Sequence, residues 1–442
     1  MTSHSARVLI RVDAGMNIGI GHLARCLSMA SELVGRGVQV TVATRASGQP
    51  FESRILAAGA RVWNFATAPD SELADGPVWS DEEQLADAHA TTRAPGGPWD
   101  AVVVDHYHLD HTWEREMARV TPRIVAVDDL ANREHAVDVL VDHNWYGSRT
   151  SARYSTLIPG HALALIGPRY AMLQSEYRGI RSRRVPAVHP PQRVVVNFGG
   201  TDVSGQTVRA LGALANFPEL AVDVVIGTRR GVTPQLAKLV EESEHFTLHV
   251  EIPTLAPLLA TADVVIGAGG TATWERLCAG VPAIVTTVSE NQSGVTRAFH
   301  EAGITRWLGT SANVRSDDYE LAIREFVQRP ATPVPAIVDG FGAARVAFAV
   351  IPAHGTAPTT RLAAAGDVAA YVTAEAAGIS AGDGPALWHE REQDFEARRE
   401  NGTRVEIVEV QGVPVGVVST GAERVVDIDT YVLDQMDERQ NK

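Results

Sequence analysis

The chain is poor in cysteine and lysine. Among 442 residues there are two cysteines, Cys26 and Cys278, and two lysines, Lys238 and Lys442. The absence of a cysteine framework excludes a disulfide-stapled extracellular scaffold and favours a reducing compartment. Almost every cation is therefore an arginine, a bias that we attribute to a GC-rich genome more than to function.

The sequence also lacks long apolar runs and any excess of positive charge. No run of about 18 or more apolar residues predicts a membrane span, and residues 1–7 lack the apolar core of a signal peptide. The net charge of −14 argues against a general surface for nucleic acids or anionic membranes. We therefore expect a cytoplasmic protein without a nucleic-acid partner.

What is present is a repeated α/β pattern. Hydrophobic residues make up 45% of the chain, and its length suits about two or three domains. Apolar strands alternate with helical patterns, which predicts parallel sheets. After a stretch rich in arginine and proline the pattern begins again. We predict an N-terminal Rossmann-like domain over 1–180, a linker over 181–192, a second Rossmann-like domain over 193–352 and a distinct segment over 361–442.

The last segment differs from the rest in charge and pattern. Residues 361–442 carry twice as many acidic as basic side chains. Residues 405–410 and 413–418 flank Gln411-Gly412, which predicts a β-hairpin. A third strand is expected within 424–432, followed by a frayed end. The pattern predicts a small α+β segment.

The stretch from Gly267 to Glu275, Gly-Ala-Gly-Gly-Thr-Ala-Thr-Trp-Glu, joins an apolar strand to a helical pattern. Glycines let the backbone approach a ligand closely, and the free N–H groups of a first helical turn attract anions. This predicts a nucleotide diphosphate at the turn, with Glu275 placed one turn further on for ribose hydroxyls. The alternative is an ordinary glycine-rich βα turn.

A histidine follows the first glycine loop, Gly19-Ile20-Gly21-His22. The loop is not a dinucleotide fingerprint, because Ala24 stands where the third glycine belongs, so NAD is not expected. A histidine at the carboxyl edge of a sheet can act as a general base near neutral pH. The alternative is a capping or solvent-facing histidine.

Polar residues follow two more apolar runs, as Asp105-His106-Tyr107 and as Asp128-Asp129. Ligands bind at the carboxyl ends of parallel strands, so these loops belong to the predicted site. The paired carboxylates suggest a metal, but no cluster of further ligands accompanies them. Positioning of a loop or of a substrate hydroxyl is the preferred role.

Seven motifs in order resemble one known family, the UDP-2,4-diacetamido-2,4,6-trideoxy-β-L-altropyranose hydrolases of pseudaminic acid biosynthesis. The similarity extends over about residues 7–350. The motifs lie at 19–27, 105–107, 127–130, 165–170, 198–202, 267–275 and 290–292. The resemblance implies a GT-B fold, related to that of the peptidoglycan N-acetylglucosaminyltransferase, with two Rossmann-like domains facing a cleft. It also implies metal-independent hydrolysis, in which water attacks C1 of a UDP-sugar with inversion and UDP leaves.

The resemblance also implies roles for individual residues. His22 would activate or position the water, and Tyr107 and Asn291 match further active-site positions. No cofactor and no metal are expected. Glu290 stands where we expect aspartate, and Asn197 precedes the motif at 198–202. The expected substrate-binding residues are Gly19, Gly21, Arg25, Asp105, Gly199, Gly200, Thr201, Gly269, Gly270, Thr271, Glu275 and Gln292.

The C-terminal segment resembles the first half of a GNAT acetyltransferase, through residues 361–367 and through the predicted hairpin that contains residues 414–416. It stops before the acetyl-CoA loop, so we expect that it does not acetylate alone and that it is a candidate for binding a protein partner. Two other functions remain open for the whole chain. One is a GT-B glycosyltransferase that passes the sugar to an acceptor other than water. The other is a non-catalytic sugar-nucleotide binder or scaffold.

Overall fold

The computed structural model describes most of the chain. The described residues are 5–15, 20–45, 49–65, 78–150, 152–184, 190–200, 202–329, 333–352, 359–377, 385–401, 403, 405–419 and 425–426. They form two parallel α/β domains and a small antiparallel sheet. The predicted fold class is confirmed.

The first domain is a seven-stranded parallel sheet with helices on both faces. Its strands are β1 (Arg7–Val12), β2 (Gln39–Thr44), β3 (Arg61–Asn64), β4 (Ala101–Asp105), β5 (Ile124–Val127), β6 (Val139–Asp142) and β7 (Leu163–Ile166). Its helices are α1 (Gly21–Gly35), α2 (Gln49–Ala57), α3 (Asp81–Thr92) and α4 (His111–Met117). The short α5 (Ile180–Arg183) follows them and packs on the second domain, where Ile180 joins the core around Leu277. The strand order is β3-β2-β1-β4-β5-β6-β7. Every residue of the central strand β4 is buried, as expected where helices cover both faces.

The second domain repeats the pattern with six parallel strands. They are β8 (Arg193–Asn197), β9 (Ala221–Ile226), β10 (Phe246–Val250), β11 (Val264–Gly267), β12 (Ala283–Thr287) and β13 (Thr305–Thr310). The helices are α6 (Gln206–Leu214), α7 (Pro234–Glu241), α8 (Ala256–Leu259), α9 (Ala272–Ala279), α10 (Asn291–Glu301) and α11 (Ser316–Gln328). The order β10-β9-β8-β11-β12-β13 places β8 and β11 at the centre. The loops after these two strands are the glycine loops singled out in the sequence.

One helix in the range expected for the second domain packs on the first. Helix α12 (Gly342–Val350) is buried at every position and joins the core around α1 through residues such as Ala343, Val346 and Val350. The chain therefore crosses back after the second sheet. The range 193–352 predicted for the second domain includes this helix, whose apolar sequence predicts burial but does not show which sheet it covers.

The predicted linker is partly bound to the second domain. Arg181 donates to the carbonyls of Leu277, Val334 and Pro335 at 2.7–3.0 Å, and Arg184 donates to that of Ala262 at 2.6 Å. Arginine has five N–H donors, so one side chain can bind several carbonyls at once. Arg181 and Arg184 therefore anchor the linker to the second domain.

The C-terminal segment forms a four-stranded antiparallel sheet with two helices. Its elements are β14 (Thr359–Leu362), α13 (Val368–Ala377), α14 (Pro385–Glu400), β15 (Val405–Val410), β16 (Val413–Ser419) and β17 (Val425–Val426). The predicted hairpin is β15–β16; of the predicted third strand only β17 lies within the described residues. Trp388 packs on Trp145 with ring centroids 5.0 Å apart, and Arg345 of α12 donates to the Pro414 carbonyl at 3.0 Å. The segment is thus packed against the rest of the chain.

Candidate active site between the two domains

A cavity of about 450 Å³ lies between the carboxyl edges of the two sheets. Both domains line it, and almost all of the described residues predicted for the site are among its walls. Asp105 is the exception, because it lies behind His22. Gly19 and Thr201 are outside the described residues. The predicted residues that line the cavity are Gly21, His22, Arg25, Tyr107, Gly199, Gly200, Gly269, Gly270, Thr271, Glu275, Asn291 and Gln292.

His22 lies in the first turn of α1 and is bonded to a buried carboxylate, that of Asp105 at the end of β4. Its Nδ1 lies 2.5 Å from Asp105 Oδ1, and the imidazole is 8% exposed whereas Asp105 is 1% exposed. Arg25, one helical turn after His22, donates to both oxygens of Asp105 at 2.6 Å and to Asp129 Oδ2 at 2.9 Å. Helical spacing places His22 and Arg25 on one face, opposite the end of β4.

The charges of this group select the histidine tautomer. Burial would raise the pKa of Asp105, but Arg25 and His22 outweigh it and the net pKa lies well below the usual value. The ionised carboxylate can only accept, and at 2.5 Å it lies closer to Nδ1 of His22 than Arg25 Nη2, which can only donate and lies at 3.0 Å. We therefore assign the proton to Nδ1. Its Nε2 then keeps a lone pair. This is the arrangement by which a carboxylate orients a histidine as a general base.

A hydrogen bond crosses the cleft beside this histidine. Asn291 Nδ2, at the start of α10, donates to the hydroxyl of Tyr107 at 3.0 Å, and Ser289 Oγ donates to Asn291 Oδ1 at 2.6 Å. The Tyr107 ring stands edge-on to His22, with centroids 4.5 Å apart. Burial and the nearby Asp129 raise the pKa of Tyr107 well above its usual value, so the phenol stays protonated. The three predicted catalytic residues therefore form one contiguous group.

Three helix N-termini open onto the cavity. No described side chain caps α1, α9 or α10, whose N-cap residues are Ile20, Thr271 and Glu290. Helix α6 contrasts with them, because Asp202 accepts from two N–H groups of its first turn. Uncapped N–H groups and the helix dipole favour an anion. The glycine loop before α9 is therefore suited to the predicted diphosphate.

Close packing explains two of the glycines. A Cβ added at Gly269 would lie 2.4 Å from Thr296 Oγ1 on α10, and one added at Gly21 would lie 2.7 Å from Thr271 Oγ1 on the opposite domain. Neither contact is tolerated by real side chains. The glycines therefore let the loop approach α10 and bring the N-termini of α1 and α9 together across the cleft.

Glu275 lies on the cavity wall one turn into α9. Burial raises its pKa to about 7, partly offset by a hydrogen bond from Tyr177. The Tyr177 hydroxyl also accepts from the backbone N–H of Leu255, at 3.2 Å. Tyr177 thus fixes the carboxylate and the loop at 252–255 in one place. A carboxylate so held can accept hydrogen bonds from two neighbouring hydroxyls.

The sequence argument missed other residues of the wall. Arg54 of α2 lines the cavity and adds a cation, and His143 and Asn144 line it directly after β6. Polar residues at the carboxyl end of a parallel strand are the signal that could have identified the last two. Within the described part of the chain there is no cluster of three metal-ligating residues. No helix there is long and apolar enough to cross a membrane.

The architecture is that of the GT-B glycosyltransferases. MurG from Acinetobacter baumannii matches with a TM-score of 0.51 at 13% identity over 78% of this chain and 99% of that one. Arabidopsis thaliana UGT89C1, complexed with UDP-L-rhamnose, matches with 0.53 at 12% identity over 79% and 95%. The spinosyn rhamnosyltransferase SpnG, complexed with thymidine diphosphate, matches with 0.51 at 14% identity over 78% and 95%. At sequence identities this low, the structural matches establish the fold and nothing further.

The sequence comparisons are weaker. The uncharacterized protein MJ1062 of Methanocaldococcus jannaschii is 20% identical over 292 residues, which are 65% of this chain and 56% of that protein. SpsG of Bacillus subtilis, a spore coat polysaccharide biosynthesis protein, is 24% identical over 190 residues, which are 42% of this chain and 55% of SpsG. The chain thus spans little more than half of these relatives' length. No family model matches it.

Proposed function

We propose that this protein binds a nucleoside diphosphate sugar in the interdomain cavity and transfers its glycosyl group to an acceptor hydroxyl. The observation that carries the proposal is the convergence of an Asp105-oriented histidine and the uncapped N-terminus of α9 on one cavity. The first supplies a base and the second a site for a leaving diphosphate. The GT-B fold supports this division, and UGT89C1 and SpnG were solved with UDP-L-rhamnose and thymidine diphosphate respectively.

The reaction is a single displacement at the anomeric carbon. His22 Nε2 takes the proton of the acceptor hydroxyl, whose oxygen forms a bond to C1 of the sugar. The C1–O bond to the diphosphate breaks, and the bonding pair leaves with the nucleoside diphosphate. First-turn N–H groups at Thr271 and Ala272 stabilise the charge that develops there. Attack opposite to the leaving group inverts the anomeric configuration.

The remaining predicted residues support this geometry. Glu275 would bind the ribose hydroxyls, and Gly269 and Gly270 would admit the diphosphate against the backbone. Tyr107 and Asn291 would hold the cleft closed around the acceptor. Asp105 and Arg25 act through His22, whose tautomer and ring orientation they determine.

The acceptor separates two candidates. The fold shared with the structural neighbours named above favours a glycosyltransferase, whose acceptor is a hydroxyl of a molecule other than water. Hydrolysis of a UDP-2,4-diacetamido-2,4,6-trideoxyhexose, with water as acceptor, is the second candidate. Besides the motif resemblance it is supported by the Tyr107–Asn291 hydrogen bond, which narrows the cleft beside His22 and favours a small acceptor.

The test is phosphorus and proton NMR of the purified protein in EDTA. UDP-2,4-diacetamido-2,4,6-trideoxyaltrose, UDP-N-acetylglucosamine and a thymidine diphosphate sugar are each supplied with and without a panel of acceptors. Nucleoside diphosphate together with free sugar in the absence of an acceptor would establish hydrolysis. Release that requires an acceptor would establish a glycosyltransferase. Binding without turnover of any donor would leave a scaffold and overturn the catalytic proposal.

A further inference from the structure

His143 is a second histidine of the cavity that the proposed reaction does not use. It follows β6 directly, at the carboxyl edge of the first sheet, and lines the cavity. It is 5% exposed, and its ring stands edge-on to Trp274 of α9 with centroids 5.0 Å apart. The side chain is therefore packed between the two domains at the cavity wall.

The ring nitrogens of His143 make no hydrogen bond to another described residue. Nδ1 is completely shielded, whereas Nε2 is not, so Nε2 is the nitrogen that a ligand in the cavity can reach. Buried polar groups without a partner are rare in native proteins and call for an explanation. The cavity beside the ring is where a partner can arrive.

Burial keeps the His143 ring neutral. Burial, together with the nearby Arg25, lowers the pKa of His143 to about 3. The ring is therefore neutral at physiological pH, and its accessible Nε2 either donates or accepts one hydrogen bond, according to the tautomer. A neutral imidazole does not select for a diphosphate, which is bound by cations and by N–H groups. It suits a group that both donates and accepts hydrogen bonds.

Asn144 extends the same wall. It is 7% exposed and lines the cavity, and its backbone N–H donates to Asp142 Oδ1 at 2.8 Å, which fixes the turn after β6. Its side-chain amide also supplies donors and an acceptor without charge. Two neutral polar side chains of the first domain thus line the cavity directly after β6.

We propose that His143 and Asn144 form a subsite for the transferred sugar, in which the imidazole hydrogen-bonds a hydroxyl or acylamino substituent of the hexose ring. The inference rests on the proposed function, since it assigns the sugar portion of the nucleotide sugar to the first domain. It makes His143 a specificity residue that touches the substrate and takes no part in proton transfer.

The test compares ligands with and without the sugar. His143→Phe keeps an aromatic ring against Trp274 and removes both nitrogens. Calorimetric titration measures the affinity of wild type and variant for UDP, UDP-N-acetylglucosamine and UDP-2,4-diacetamido-2,4,6-trideoxyaltrose. We expect the affinity for at least one nucleotide sugar to fall roughly 10-fold, as for one lost hydrogen bond in a closed site, while that for UDP is unchanged. His143→Gln, which retains a donor and an acceptor, should recover part of the loss.

The outcomes separate the two proposals. If His143→Phe weakens UDP as much as the nucleotide sugars, the residue only supports Trp274 and the subsite is overturned. Unchanged affinities for all three ligands in both variants would also overturn it. If wild-type protein binds neither UDP nor any nucleotide sugar, the proposed function itself fails and the subsite with it. Near-ultraviolet circular dichroism checks that each variant keeps the packing of its aromatic side chains.

Discussion

The two walls of the cleft present different chemical groups, side chains on one wall and backbone N–H groups on the other. The first domain presents side chains, with His22 fixed by Asp105 and Arg25 in a buried group. The second domain presents mainly backbone, in a glycine loop and the first turns of α9 and α10. Proton transfer needs an ionisable side chain, whereas N–H groups can hold an anion unaided. A chain with two lysines and a net charge of −14 can therefore still bind a diphosphate.

The largest effect on catalysis is expected when the proposed base, His22, is removed from the first domain. His22→Asn keeps an amide N–H in the place of Nδ1, so the bond to Asp105 can persist, but no atom replaces Nε2. We expect kcat to fall by about 10²–10⁴-fold, the usual contribution of general base catalysis. The affinity for UDP should stay within about 2-fold, because the second wall is unchanged.

Steady-state kinetics and calorimetric titration make this measurement. His89→Asn is the matched control, since that side chain is exposed on α3. A His22→Asn variant with full activity would remove the proposed mechanism and leave the fold untouched.

The second prediction concerns the protonation of one buried carboxyl group in the first domain. Asp142 at the end of β6 is fully buried, and burial raises its pKa from 3.8 to about 7, partly offset by Arg153. The folded state therefore favours the protonated acid. Its contribution to stability is complete below pH 3.8 and is lost as the pH rises to about 7. Asp142→Asn removes this dependence.

Thermal unfolding of Asp142→Asn and wild type is therefore compared at pH 5 and pH 8. At about 1.4 kcal/mol per pKa unit, the variant should gain roughly 2–3 kcal/mol relative to wild type over this interval. Any constant offset from the altered contacts to Tyr154 and Arg153 cancels in the difference. Asp317→Asn, at an exposed position on α11, controls for loss of one acid. A gap between variant and wild type that is the same at both pH values would contradict the prediction.

The third prediction breaks the second wall by packing. In Gly269→Ala the added methyl carbon would lie 2.4 Å from Thr296 Oγ1, which forces the glycine loop and α10 apart. Overpacking of this kind costs about 1–3 kcal/mol, so the Kd for UDP should rise roughly 5–100-fold. Gly35→Ala at the end of α1 is the control, because an added Cβ there meets no atom within 4 Å. Equal UDP affinity in the two variants would show that the loop does not hold the diphosphate.

The central strands and the loops after them were predictable from the sequence. Strand β4 (Ala101–Asp105) is the apolar run that precedes His106-Tyr107, and such a short run ending in a polar residue is typical of a strand buried on both faces. The edge strand β3 lacks such a run, because Arg-Val-Trp-Asn contains two apolar residues and is partly exposed. The edge strand β7 is apolar at all four positions, Leu-Ala-Leu-Ile, but a run this short does not by itself distinguish a strand from part of a helix.

Contacts between distant segments were not predictable. The apolar composition of Gly342–Val350 predicts burial. The helix that these residues cover, α1, is distant in the sequence, so the contact could not be predicted. The polar pair His143-Asn144 was visible after its strand. Its importance rests on a missing hydrogen-bond partner, which is a property of the folded surroundings and not of the residues themselves. The motifs predicted from the sequence meet at one cavity, because loops after parallel strands lie at the same edge of a sheet.

The smallest effect tests the single hydrogen bond that joins the walls. Tyr107→Phe and Asn291→Ala each remove the bond between Asn291 Nδ2 and the Tyr107 hydroxyl. One such bond is worth about 0.5–1.5 kcal/mol, so each variant should lose roughly 2–10-fold in kcat/KM. If the bond acts by holding the domains together around the acceptor, the double variant should lose no more than either single one. Losses that multiply would mean that the two residues act independently on their own walls, and that the cleft closes by other contacts.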